Sequence, residues 1–127
     1  MLRRVDAVTV PVPDLDAGVA FYCTRLGHEL EWRRDDVGQA GVTLSDADTE
    51  LVLTTRQSYE PNWLVADVPA AVAEFVAAGG EIVAEPFEIP VGRVAVVRDP
   101  FGNALVLVDL SKGAYATRER GADTPSG

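Results

Sequence analysis

The chain has 127 residues, a length typical of one domain, and its 47% hydrophobic content excludes a wholly disordered protein. Its 20 acidic and 11 basic residues give a formal net charge of −9, which argues against nucleic-acid backbones and anionic lipid as partners, because both need basic patches. No apolar run reaches the roughly 18 residues of a membrane span, and the N-terminus lacks a signal-peptide core, so we expect a cytoplasmic protein.

The first half of the chain predicts the element order β-α-β-β-β. Alternating apolar residues indicate strands, and the spacing of Leu15, Val19, Tyr22, Cys23 and Leu26 indicates one apolar face of a helix. Asp14 can accept hydrogen bonds from the free N–H groups of the first helical turn. The predicted elements are a strand at 4–12, a helix at 14–27, and strands at 28–34, 39–45 and 50–55.

The segment 12–27 has a second copy 53 residues later, at 65–80. The shift superimposes Val12 on Val65, Asp14 on Asp67 and Gly27 on Gly80. Carried further, it superimposes the apolar run 51–53 on 104–106, so the repeat spans a whole module.

The second half therefore predicts the same order of elements. These are a strand at 59–66, a helix at 69–78, a short strand at 81–84, and strands at 92–98 and 104–110. Pro86 and Pro90 flank a stretch through Phe87 that we predict to be irregular, and 99–103 is a turn. Residues 111–127 form a polar tail, which we expect to be loosely ordered, with one helical turn around 117–120.

These features resemble the vicinal oxygen chelate superfamily, which includes glyoxalase I, extradiol dioxygenases and bleomycin-resistance proteins. The resemblance rests on the tandem repeat, on V-x-D-L-x-x-x-V-x-F-Y followed by L-G, and on D-P-F-G-N before the last strand. It implies an α+β fold in which tandem βαβββ modules form a curled mixed β-sheet around a cleft. The implied single domain is 1–110, with module one at about 4–56 and module two at about 57–110.

The metal-dependent members of that superfamily hold a divalent ion with ligands from the first and last strands of each module. Carried over through the repeat, these positions are Ala7, Leu53, Glu60 and Val106. Three of the four side chains have no nitrogen or oxygen, whereas divalent cations need several such donors. We therefore predict no metal ligands and no cofactor. The only cysteine, Cys23, lies on the apolar helix face, where a small buried side chain is the expected role.

Strand parity predicts an apolar ligand-binding cleft with a few polar groups. Glu60, placed among apolar residues, is a candidate catalytic base or an anchor for a cationic ligand group, and a solvated position at the mouth of its strand is the equally weighted alternative. The predicted ligand-binding residues are Ala7, Thr9, Trp32, Leu53, Thr55, Tyr59, Glu60, Asn62, Leu64, Phe87, Val106 and Val108. Trp63 has the opposite parity and is expected beneath a helix.

Three functions are compatible with this pattern, one of which is a regulatory or interaction module whose cleft is vestigial. The first is a metal-independent protein of the bleomycin-resistance type that sequesters a cationic or natural-product ligand in antibiotic resistance, so that a protein that is not an enzyme is expected. The alternative is a glyoxalase-like lyase or isomerase, or a dioxygenase-type enzyme, with a non-standard site. The resemblance and the need to cover sheet edges also imply a homodimer.

Overall fold

A computed structural model describes residues 1–113. The polar tail beyond residue 113, including the helical turn predicted at 117–120, lies outside the described residues. The described part has eight strands and two α-helices, which is an α+β fold. Contacts divide it into two compact units, one formed by Ala7–Glu60 and the other by Met1–Asp6 together with the residues from Pro61 onward.

Module one has the predicted β-α-β-β-β order. Its elements are β1 at Arg4–Pro11, α1 at Leu15–Val19, a π-helical segment at Ala20–Arg25, β2 at Glu29–Arg34, β3 at Gln39–Thr43 and β4 at Glu50–Thr54. The strands follow the order β2-β3-β4-β1. β1 and β4 are parallel, whereas β2-β3 and β3-β4 are antiparallel.

Module two repeats this arrangement. Its elements are β5 at Glu60–Leu64, α2 at Val68–Ala77, β6 at Glu81–Ile89, β7 at Gly92–Arg98 and β8 at Ala104–Asp109. The strands follow the order β5-β8-β7-β6, in which β5 and β8 are parallel. The tandem modules and the mixed parallel and antiparallel pairing predicted from the sequence are thereby confirmed.

Each helix buries one face on the strands of its own module. In module one, a cluster of four buried residues packs beneath α1: Leu15, Ala40, Val42 and Leu53. In module two, the corresponding cluster beneath α2 is Val65, Val68, Ala71, Val72, Ala95, Val97 and Leu107. Trp63 packs against this second cluster, which confirms its predicted place beneath a helix.

The first helix differs from the prediction because its second half is π-helical. The Leu26 N–H donates to the Phe21 carbonyl oxygen, five residues back, at 3.0 Å. This wider turn breaks the regular helical spacing on which the predicted apolar face depends. Leu26 is consequently 52% exposed, while Val19, Tyr22 and Cys23 still pack against the core of module one.

Strand β6 is longer than predicted. The structure pairs Phe87 with Val94 and Glu88 with Arg93, so the stretch expected to be irregular belongs to the sheet. The register shifts between Ala84 and Phe87, which accommodates Pro86. A proline is tolerated here because β6 stands at the end of the strand order, where a missing N–H costs no ladder hydrogen bond.

Within residues 1–113, neither helix has the length and apolar character needed to cross a membrane.

Candidate functional site

The register of module one defines a sheet face that points away from α1, here called the non-helical face. Leu53 and Ala40 belong to the cluster beneath α1, and side chains alternate along each strand. The residues that alternate with Leu53 along β4 and with Ala40 along β3 therefore point to the other side of the sheet. Cross-strand pairing aligns Thr9 with Val52, Val52 with Gly41, and Gly41 with Trp32. Ala7 pairs with Glu50 on the same face.

Trp32 and Glu50 form a fixed pair across this face. The indole Nε1 donates to Oε2 of Glu50 at 2.6 Å, a short charge-assisted hydrogen bond. Gly41 lies between them on β3, and a Cβ at that position would overlap Nε1 and Cε2 of Trp32. The pair thus occupies the space that any larger residue at position 41 would need.

Thr9 connects β1 to the chain that leads into β5. Its side chain is 5% exposed, and its hydroxyl lies 2.6 Å from the carbonyl oxygen of Ser58 and 3.1 Å from that of Glu60. A hydroxyl has one proton to donate, so the two carbonyls share it. This contact holds the backbone at Glu60, whose side chain is half-buried.

Two predicted site residues of module one lie elsewhere. Leu53 is fully buried beneath α1, and Thr55 donates its N–H to the Gly38 carbonyl oxygen at 3.0 Å. Thr55 borders a surface hollow of about 340 Å³ near Pro13 and Leu15. Their predicted place on the face of Ala7 and Thr9 was wrong.

The error has a structural cause. Thr9 pairs with Val52, whereas its repeat partner Asn62 pairs with Val106. The last strands of the two modules are therefore related by a shift of 54 residues, one more than the first strands. Val52 is consequently the counterpart of Val106, and Leu53 is the counterpart of Leu107.

Module two has a corresponding non-helical face, and the predicted residues on it do lie together. Asn62 pairs with Val106, and Leu64 pairs with Val108. Val94 joins Val108 to Phe87 on the same face. Phe87 is 50% exposed, and Tyr59, which precedes β5, is 72% exposed.

The residues present do not fit the divalent metal that the resemblance to the vicinal oxygen chelate superfamily implies. At the corrected positions stand Ala7, Val52, Glu60 and Val106, so one side chain of four has an oxygen donor. Within residues 1–113, no group of three or more histidine, cysteine or acidic side chains could hold a metal ion. Burial raises the pKa of the Cys23 thiol, which disfavours the thiolate that a metal or a nucleophilic step would require.

Sequence analysis missed Glu50, Gly41 and Val52 as members of the module-one face. The available signal was the segment 50–54, in which Leu51 and Leu53 alternate with Glu50 and Val52. The register of β4 against β1 decides whether the leucines or Glu50 and Val52 face the helix. A slip of one residue would exchange the two pairs.

Comparison with known proteins agrees with this fold. The family model described as the Glyoxalase/Bleomycin resistance protein/Dioxygenase superfamily matches residues 4–107. A protein of Mycolicibacterium smegmatis described as uncharacterized is 35% identical over 110 residues, which cover 82% of this chain and 91% of that protein.

Among solved structures, the chain resembles a methylmalonyl-CoA epimerase of Streptomyces coelicolor in complex with 2-nitronate-propionyl-CoA. The two are 25% identical, with a TM-score of 0.68, and the match covers 90% of this chain and 99% of the epimerase. The methylmalonyl-CoA epimerase of Mycobacterium tuberculosis is 20% identical, with a TM-score of 0.65 and coverage of 85% and 88%.

These neighbours are enzymes, and they contradict the expectation that the protein is not an enzyme. That expectation treated the missing metal ligands as a sign of lost catalysis, although a carboxylate on the sheet can itself transfer protons. With its family model covering most of the sequence and its strand order repeated in two modules, the chain belongs to the Glyoxalase/Bleomycin resistance protein/Dioxygenase superfamily.

Proposed function

We propose that the protein is an enzyme of the isomerase or lyase type that removes a proton next to the carbonyl group of a small acyl substrate, with Glu60 as the base. The observation that carries the proposal is the similarity to the Streptomyces coelicolor methylmalonyl-CoA epimerase, at 25% identity over 90% of the chain. An epimerase of this kind must break and re-form a bond between carbon and hydrogen.

Glu60 is the carboxylate best suited to this role. A general base needs a free acceptor oxygen and a defined position. Within residues 1–113 the Glu60 carboxylate makes no hydrogen bond or ion pair, and its backbone is held by Thr9. Glu50, in contrast, already accepts from Trp32.

The proposed reaction begins with the transfer of a proton to Glu60. One Glu60 oxygen takes the proton, the carbon–hydrogen bond breaks, and its electron pair moves into the carbonyl group to form an enolate. Water then donates a proton to the opposite side of the planar carbon, which inverts its configuration. The hydroxide that remains takes the proton from Glu60 and restores the carboxylate. No step passes through a metal ion, because the donor set described above cannot hold one.

The test is proton exchange in deuterium oxide. With methylmalonyl-CoA and other thioesters substituted at the carbon next to the carbonyl, we expect deuterium to enter at that carbon, as measured by mass spectrometry. Glu60→Gln keeps the side-chain size and removes the basic oxygen, so we expect the exchange rate to fall by at least about a hundredfold. Glu74→Gln, on the exposed side of α2, is the matched control and should exchange normally.

Two results would contradict the proposal. One is unchanged exchange in Glu60→Gln. The other is no exchange with any thioester, combined with ligand-induced thermal stabilisation by a cationic natural product, which would favour a binding protein. Stoichiometric nickel, zinc, iron or manganese in protein purified without chelator would contradict a different statement, namely that the side chains at the family's ligand positions cannot hold a metal ion.

We also propose that the protein acts as a homodimer. Support comes from the apolar hollow of about 530 Å³ that Val72, Val76 and Ile82 line between α2 and β6. Val76 and Ile82 are 42% and 38% exposed. Neighbouring exposed apolar side chains of this kind are typical of a surface that another protein covers. Sedimentation equilibrium at micromolar concentration should give twice the mass of the chain, and Ile82→Glu should shift it towards one chain.

A further inference from the structure

We propose that the indole of Trp32 is the surface against which the planar thioester end of the substrate stacks, with Gly41 and Glu50 as positioning residues. The inference deepens the proposed function and rests on it, because it assigns a further contact to the same substrate. Trp32, Gly41, Glu50 and Glu60 all belong to the unit formed by Ala7–Glu60.

The position of the ring is set from two sides. Glu50 accepts the indole N–H at 2.6 Å, which fixes the rotation of the side chain. Gly41 leaves the space beneath Nε1 and Cε2 empty of a side chain, so the ring can lie over the backbone of β3. A ring held in this way loses little further conformational freedom when a ligand stacks on it.

The hydrogen bond also determines the chemistry that the ring can recognise. The single indole N–H is already donated to Glu50, so it is not available to a substrate hydroxyl or phosphate. What remains is the π face, made more electron-rich by donation to a carboxylate. The preferred partner of this π face is a planar, electron-poor group, and a thioester is such a group.

The neighbours on this face agree with that choice. Ala7 and Val52 are apolar and lie on the same side of the sheet, both of them 7% exposed. Such surroundings favour an acyl group over a sugar or a phosphate, because a polar group would lose its water without finding hydrogen-bond partners.

Tryptophan fluorescence tests the contact directly, because the chain has two tryptophans. In the Trp63→Phe variant, Trp32 is the only tryptophan, and excitation at the red edge of the absorption band avoids the three tyrosines. Trp63 itself packs in the core of module two. We expect saturating methylmalonyl-CoA to quench Trp32 by at least about a third, and coenzyme A without the acyl group to quench it far less. Equal quenching by both probes, or quenching by neither, would overturn the inference.

Steady-state kinetics test the positioning. Trp32→Leu should raise KM about tenfold, which is the loss of affinity expected when one aromatic contact is removed. The same variant should change kcat less than twofold. Gly41→Ala should have the same signature although residue 41 touches no substrate, because its methyl group displaces the ring. Trp63→Phe is the control and should keep both constants. An unchanged KM in Trp32→Leu would overturn the inference, and this result decides by itself if Gly41→Ala does not fold.

The two proposals fail in different ways. Quenching of Trp32 by the thioester without any deuterium exchange would end the proposed reaction and leave the stacking contact in place. Deuterium exchange with no quenching and an unchanged KM in Trp32→Leu would do the opposite.

Discussion

Asp109 is the buried charged residue on which the end of module two depends. Its side chain is fully buried, and its carboxylate accepts from the N–H of Val68 at 2.7 Å, the N–H of Arg93 at 2.9 Å and the hydroxyl of Ser111 at 2.7 Å. Burial by itself raises the pKa of this carboxyl, but these hydrogen bonds together lower its pKa below the ordinary value. The charged form is therefore built into the fold.

Asp109→Asn should lower the free energy of unfolding by about 2 to 3 kcal/mol, because an amide nitrogen would face donors that now meet a carboxylate oxygen. Since the pKa of Asp109 is lower when folded, its contribution is present above the unfolded value of about 4 and is lost as pH falls through the folded value. Urea unfolding should thus show a difference between wild type and variant that shrinks below about pH 4.

Asp99 is the matched control for this residue. Hydrogen bonds from Asn103 and the N–H of Phe101 also lower the pKa of the Asp99 carboxyl, but the group is exposed in a turn. We expect Asp99→Asn to unfold close to wild type. A loss as large as that of Asp109→Asn would show that burial is not the deciding difference.

Both helices begin with the same device. The Asp14 carboxylate accepts from the Ala17 N–H at 2.7 Å, and that of Asp67 accepts from the Ala70 N–H at 2.9 Å. Each aspartate satisfies one of the N–H groups that a helix start leaves unpaired. Asp67 has an additional partner, because Arg93 donates to it at 3.0 Å.

We expect Asp14→Ala and Asp67→Ala each to lower the free energy of unfolding by about 1 kcal/mol, with the larger loss at Asp67. Asp67→Asn keeps a capping oxygen and loses the charge that pairs with Arg93. It should therefore recover most of the loss, as read from thermal melts at low and high salt. A stability of Asp67→Asn equal to that of Asp67→Ala would show that the ion pair, and not the cap, matters.

At the scale of the whole molecule, the part of the chain that the structure describes is stabilised by two apolar clusters, one in each module. Leu53 and Leu107 are fully buried, occupy equivalent positions in the two modules and share no cluster members. Leu53→Ala and Leu107→Ala should each lower the free energy of unfolding by about 2 to 5 kcal/mol. Because residues that share no contact partners usually add, the double variant should lose the sum within about 0.5 kcal/mol, as measured by denaturant unfolding. A clearly smaller loss would mean that the clusters are coupled.

Much of the fold could be predicted from the pattern of residues. Repeated local signals, such as the capping aspartates and the apolar helix faces, act over a few residues and are visible in the sequence. The strands also fall close to their predicted positions. The predicted break around Pro86 was wrong, because the position of a strand at a sheet edge decides whether a proline is tolerated, and edges are not encoded locally.

The candidate site was predictable only in part. Glu60 and the module-two residues Asn62, Leu64, Val106 and Val108 follow from strand parity, and their proposed roles in catalysis and binding stay predictions. Leu53 and Thr55 were misplaced because one shift was applied to every strand, whereas the last strands differ by one residue. A single residue inverts which side chains face the helix, so parity arguments fail wherever a repeat is inexact.

By itself, the sequence determined the family, the two modules, the caps and the scarcity of metal-binding side chains at the family's ligand positions. Each of these depends on residue type and short-range spacing. Only the tertiary structure decided that Trp32, Gly41 and Glu50 come together on one sheet face, and that Thr9 holds the backbone at Glu60. Those contacts join residues 9 to 51 positions apart in the chain, and the pairing of strands alone brings them within hydrogen-bonding distance.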